Sequence, residues 1–116
     1  MLAQTDLESC IQECTRCHAV CVKTVQYCLK EGGRHAAAHH VRLMQDCAEM
    51  CLTSADFMLR ESDLHPETCG LCAKICDRCA SSCEEVGGGN DALMNECAGA
   101  CRECAKSCHE MSIHEN

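Results

Sequence analysis

The sequence predicts an all-α protein, an antiparallel up-down four-helix bundle with a cysteine-lined core. Two observations carry this expectation. Sixteen of the 116 residues are cysteine, and inside each of four segments they recur at steps of three, four or the sum of the two. That is the spacing of one inward face of a helix in a bundle. The second observation is where the chain can break. There is one proline and there are seven glycines, and the breaks they allow fall at Gly32-Gly33, at Ser62-Asp63-Leu64-His65-Pro66 and at Gly87-Gly88-Gly89. Long helical segments with short connections pack as antiparallel neighbours. No strand-like alternation rich in β-branched residues competes.

The first helix is expected over 5–31. Thr5 and Glu8 are spaced as a capping box, and Cys10, Cys14, Cys17, Cys21 and Cys28 share a face, with Thr24 or Val25 filling the gap before Cys28. The second is expected over 35–62. It carries Cys47 and Cys51, and the same periodicity runs back to Met44 and His40 and forward to Ser54 and Met58. The third, over 66–86, opens with Pro66, which a first helical turn tolerates. It carries Cys69, Cys72, Cys76, Cys79 and Cys83. The fourth, over 90–112, has Asn90 or Asp91 as N-cap and carries Cys97, Cys101, Cys104 and Cys108, with Met94 and Met111 in register. A C-x3-C-x2-C-x3-C block starts at Cys10, at Cys72 and at Cys97. Met50 falls beside the seam. Apolar residues such as Leu2, Leu7, Ile11, Leu29, Leu52, Leu59 and Leu71 flank it, where they would fill helix boundaries or subunit contacts.

Composition narrows the function. The length suits one domain, 1–116. With one Tyr, one Phe and no Trp, an aromatic-anchored core is out of reach, so the cysteines fill the interior or bind something that does. A formal net charge of −8 argues against a nucleic-acid partner, which needs a basic surface. The apolar runs are too short to cross a membrane. The first residues carry neither a basic region nor an apolar stretch, so no export signal is visible. The expected compartment is the reducing cytoplasm, where cysteines are not a disulfide framework.

Cysteine as a small buried hydrophobe accounts for one or two such residues in a core, not for sixteen on one seam. Paired C-x3-C hairpins locked by disulfides need an oxidising compartment. Metal is the remaining reading. Zinc knuckles place C-x2-C on turns, whereas here the C-x2-C pairs lie inside longer helical runs. The loop motifs of iron–sulfur clusters are absent. C-x3-C on a helix sets two sulfurs one turn apart on one face. Soft Cu(I) accepts two or three such ligands, and thioethers join thiolates only for soft ions. A zinc or cadmium thiolate buffer of the metallothionein type is the alternative, and a redox or electron-transfer protein is third. An enzyme is not expected: pairs such as Cys17-His18 and Cys108-His109 are helix neighbours that do not face each other.

The blocks CIQECTRCHAVC, CAEMC, CGLCAKICDRCASSC and CAGACRECAKSC, with glycine breaks between them, resemble the bacterial copper storage proteins of the cytosolic branch over essentially the whole chain. The resemblance implies a bundle filled with several Cu(I) ions, a homotetramer, no catalytic turnover, and thiolate ligands at all sixteen cysteines. Where such relatives often carry a further cysteine, seven residues before the second helix's C-x3-C and three before the fourth helix's block, this chain has His40 and Met94. Both keep a soft or borderline ligand.

Antiparallel packing gathers Cys28, His40, Met44, Cys83 and Met94 at one end, with His35 and His39 on the approach. Cys10, Met58, Cys69, Cys108 and Met111 gather at the other, backed by Leu7 and Leu64. The His/Met end is the expected mouth, where copper lands on His40, Met44 or Met94 and passes inward by thiolate exchange. A copper donor or acceptor protein is an expected partner.

Overall fold

The structure, a computed structural model, describes residues 4–113, with side chains from Asp6 onward. Its elements are α1 (Gln4–Glu31), a 3-10 turn (Gly33–Ala36), α2 (Ala38–Leu59), α3 (His65–Gly87) and α4 (Ala92–Ile113), with no strand among the described residues. Each helix packs against two others in a square, α1 and α3 each touching both α2 and α4. The bundle measures 45 × 20 × 17 Å. At 1.5 Å per residue the 28 residues of α1 span about 42 Å, so the longest helix sets the length of the molecule.

The narrow cross-section follows from what lies inside. All sixteen cysteines are fully buried, and the remaining buried apolar side chains are methionines, alanines and Val25. Among the described residues no leucine, isoleucine or phenylalanine is buried. Ala48, Ala73, Ala80, Ala98 and Ala105, each directly after a cysteine in sequence, are buried as well. Small side chains beside the seam let the helices approach until the sulfurs touch. Larger apolar residues stay outside: Leu29, Leu52, Leu59 and Leu71 are 44–64% exposed, while Leu7, Ile11, Val20, Val41 and Ile75 lie partly buried against the core.

The helix ends differ from the expected spans where backbone chemistry intervenes. Thr5 of the expected capping box has its side chain outside the described residues, as does Leu2. The second helix begins at Ala38, not 35, because Gly32 and Gly33 take left-handed φ of 73° and 54° and the next residues close a 3-10 turn. Ala37 is then extended, at φ −59° and ψ 137°. It ends at Leu59, not 62, in a Schellman arrangement. Ser62 N–H donates to Phe57 O at 2.9 Å and Glu61 N–H to Met58 O at 3.1 Å, with Glu61 itself left-handed at φ 55°. Gly87 is required at the end of α3, since a Cβ there would sit 2.7 Å from Met94 Cβ.

Asp91, rather than Asn90, caps α4. Its Oδ1 accepts the Leu93 and Met94 N–H groups, both at 3.1 Å. Its Oδ2 accepts the Tyr27 hydroxyl and lies against His35 Nε2, both at 2.8 Å. One carboxylate thus ties α1, the 3-10 turn and α4 together. His35 beside it, against some burial, holds the carboxyl at about 2 where 3.8 is ordinary. A depressed carboxyl pKa gives stability that is present above about 4 and lost as pH falls through about 2. Asp91→Ala should therefore cost at least about 1 kcal/mol at pH 7, measured by urea unfolding of the reduced protein, and the gap to the parent should close as the pH approaches 2.

Candidate metal centre

The 3.6-residue period turns every cysteine of each helix to the bundle axis, and the thiols meet there as one row. Cys10 Sγ lies 3.7 Å from Cys108 Sγ, and Cys14 Sγ lies 3.4 Å from Cys108 and 3.7 Å from Cys104. Cys104 continues to Cys51 at 3.8 Å, Cys51 to Cys76 at 3.6 Å and Cys76 to Cys47 at 3.6 Å. Cys72 lies beside Cys51 and Cys76, at 3.8 Å from each. From Cys47 the contacts run to Cys17 and Cys101, and from Cys101 to Cys21 and on to Cys97, each at 3.8 Å. All sixteen thiols are free.

The sulfurs also form overlapping quartets, each with its four Sγ atoms within 4.8 Å of one another. Cys14, Cys72, Cys104 and Cys108 make one. Others are Cys51/Cys72/Cys76/Cys104, Cys17/Cys47/Cys51/Cys76, Cys17/Cys21/Cys47/Cys101 and Cys21/Cys79/Cys97/Cys101. The overlap has a chemical consequence. A tetrahedral zinc site closes around four ligands of its own, so neighbouring quartets cannot all be filled at once. An ion satisfied by two or three thiolates that bridge to the next can use every sulfur in the row.

At the far end from Cys10, Cys28 Sγ lies 3.5 Å from His40 Nε2 and 4.0 Å from Met94 Sδ. His40 is 2% exposed, and Met44 and Met94 are fully buried. The other ring nitrogen of His40 meets Ser82 Oγ at 2.8 Å, which fixes the ring and leaves Nε2 against the sulfur. His40 lines an open cleft of about 630 Å³ between α2 and α3, together with Arg34, His39, Arg78 and Glu85. The approach is therefore lateral. His39 stands in it exposed, whereas His35 is held on Asp91.

Electrostatics follow from dryness and from mutual hydrogen bonding. Burial pushes the Cys28 thiol up to about 11 and the His40 pKa down, so both resist charging. Within the row, S–H groups of Cys10, Cys104 and Cys108 lower Cys14 to about 6. Donors are raised in turn, Cys108 by Cys10 first and then its other thiol neighbours, Cys101 by Cys17 first. A thiolate in the row is stabilised by neighbours that thereby keep their own protons.

The periodicity located the sixteen thiols, His40, Met44 and Met94 on the inward face, with Ser54, Met58 and Met111. Thr24 and Val25 are both buried, so both fill the gap before Cys28. Leu64 does not back the opposite end: it is 56% exposed, because the turn before α3 carries it outward, and His65 lies buried beside it in sequence. His65 was legible as a step of four before Cys69, but it stands within the Ser62–Pro66 break. Ser82 gave no periodic signal. His18 Nδ1 is held 2.8 Å from Ala48 O on α2, apart from the Cys17 sulfur in the row.

The chain matches the family described as copper storage protein over residues 3–113. It is 34% identical over 68 residues to an uncharacterized cysteine-rich protein, YhjQ, of Bacillus subtilis, a match that takes in 59% of this chain and 63% of that one. Among solved structures, the Nmul_A1745 protein of Nitrosospira multiformis is 44% identical, with a TM-score of 0.88 over 95% of this chain and 97% of that one. The Cu(I)-bound copper storage protein BsCsp3 of Bacillus is 33% identical, with a TM-score of 0.83 over 92% and 98%. A cytosolic copper storage protein of Streptomyces lividans, loaded with five coppers, is 27% identical, with a TM-score of 0.85 over 98% and 100%.

Complete burial of the thiols has a direct test. The reduced native protein should react slowly with a bulky aromatic disulfide reagent, and denaturant should release all sixteen thiols to fast reaction. Fast reaction of most thiols in the native state would contradict the closed row.

Proposed function

The chain belongs to the copper storage protein family, and from that premise we propose that it stores Cu(I) in the cytoplasm and protects the cell from it, holding many ions on thiolates inside the bundle. The observation that carries this is sixteen buried sulfurs along one axis, with overlapping quartets shared among Cys14, Cys17, Cys21, Cys47, Cys51, Cys72, Cys76, Cys79, Cys97, Cys101, Cys104 and Cys108. Its ligands are the sixteen cysteines, with His40, Met44 and Met94 as the soft or borderline donors at one end.

Charge balance supports the assignment. Metal binding needs the thiolate and releases the thiol proton. Exchanging one proton for one Cu(I) leaves the buried charge unchanged, so filling the row avoids the penalty of stranded thiolates. Capacity is on the order of sixteen Cu(I) ions with about one proton released per ion. The ions reach the row through the cleft beside His40, whose neutral ring can offer a lone pair, and move on to Cys28 by ligand exchange. The same cleft is where a donor or acceptor protein would present copper. No enzymatic turnover is part of this role. Val22, Leu29, Leu52 and Leu59 on α1 and α2 are 44–64% exposed, an apolar surplus that supports assembly as a homotetramer. A cytoplasmic setting keeps the thiols reduced.

Anaerobic titration of the reduced protein with Cu(I) against a competing chelator tests the proposal. Tight binding should continue to on the order of sixteen ions. Saturation near one ion per four thiolates, with zinc preferred, would put a zinc buffer in its place. Replacing His40, Met44 and Met94 together by leucine should lower the final capacity only slightly while slowing loading several-fold. Met58→Leu with Met111→Leu, at the other end, should leave the rate nearly unchanged.

A further inference from the structure

The end of the bundle away from His40 holds a group that the proposed ligand set does not use. His65 opens α3 and is 4% exposed. Its Nδ1 is buried without a hydrogen-bond partner, and no other buried side-chain nitrogen or oxygen among the described residues is in that position. Buried polar atoms are ordinarily satisfied, and each exception asks for a cause. The structural uses of histidine elsewhere in this chain look different. His18 rests on the Ala48 carbonyl and His35 on the Asp91 carboxylate, both at 2.8 Å. His65 has no such partner.

Soft donors stand at the same end of the bundle. Cys69 follows four residues later, one turn along the same helix face, and is fully buried. Cys69 Sγ lies 3.4 Å from Ser54 Oγ. The thioethers of Met58 and Met111 are buried as well. The residue types are those of the other end of the row, where His40 Nε2 lies 3.5 Å from Cys28 Sγ and Met94 Sδ lies 4.0 Å from it. Neutral imidazole keeps a lone pair on one ring nitrogen, and both imidazole and thiolate suit copper.

We infer that His65 and Cys69 form a further Cu(I) site that closes the row at the α3 end, with the imidazole as its outermost ligand. This rests on the Cu(I) reading of the thiol row. In forming the site the Cys69 thiol gives up its proton to solvent, and Cu(I) accepts one electron pair from that sulfur and one from His65 Nδ1. Nothing is oxidised or reduced. The buried nitrogen that lacks a hydrogen bond in the protein gains a ligand in the loaded state.

The test uses the reduced full-length protein with ¹⁵N-labelled histidine, titrated anaerobically with Cu(I) and followed by imidazole ¹⁵N resonances assigned through the backbone. The His65 Nδ1 signal should move upfield by tens of ppm as the row fills, and His65→Phe should bind about one Cu(I) fewer with unchanged helicity. Full loading of the thiols with the His65 signal unmoved overturns the inference and leaves the storage role intact. Absence of tight Cu(I) binding by any thiol overturns both. The parent protein's His65 signal decides the matter by itself if His65→Phe does not fold.

Discussion

Sulfur-to-sulfur packing along the axis is the constraint on which the rest of the molecule depends. A thiol is small, weakly hydrogen bonding and content to be buried neutral, so sixteen of them can fill a core without demanding partners. They also contribute less than leucines would, since burial energy scales with the apolar area removed from water. The chain answers with length and with good helix ends: helices of 22 to 28 residues, a Schellman turn after α2, and the Asp91 cap that binds three elements at once. Alanines beside the cysteines bring the helices close enough for sulfur contacts of 3.4–3.8 Å between them.

The same packing makes the interior suitable for exchange. Along the middle of the row each sulfur lies within reach of several others, so an ion bound at one place has a next ligand before it leaves the last. Shared quartets favour a soft ion of low coordination number over an ion that needs four ligands to itself. The two ends of the row are not plain closures. One carries His40 with its ring fixed by Ser82 and open to a cleft, and the other carries His65 with an unpartnered nitrogen.

The bundle and its inward face were legible because a step of three or four in sequence is a geometric statement about a helix, and sixteen cysteines repeat it. Met44, Met94 and His40 followed from extending that step, and their burial agrees. The end of α2 was not legible, because Glu61 adopts a left-handed conformation with none of the usual glycine or asparagine signal. The start of α2 is displaced by the 3-10 turn that follows Gly32 and Gly33, and the Asp91 contact to His35 in that turn joins residues far apart in sequence, which no local pattern announces. The sequence offered only a break over Ser62–Pro66, so Leu64, in the turn, was expected to point inward, whereas α3 starts at His65 and it is His65, a step of four before Cys69, that is buried.

Amide hydrogen exchange of the reduced, metal-free protein tests the central claim most directly, namely that the helices hold the thiol row in place before any ion arrives. The account predicts protected amides at the cysteines of all four helices without copper, with added Cu(I) deepening protection but not creating it. Unprotected, coil-like amides that gain protection only when Cu(I) is added would contradict it, and would mean that the metal builds the core.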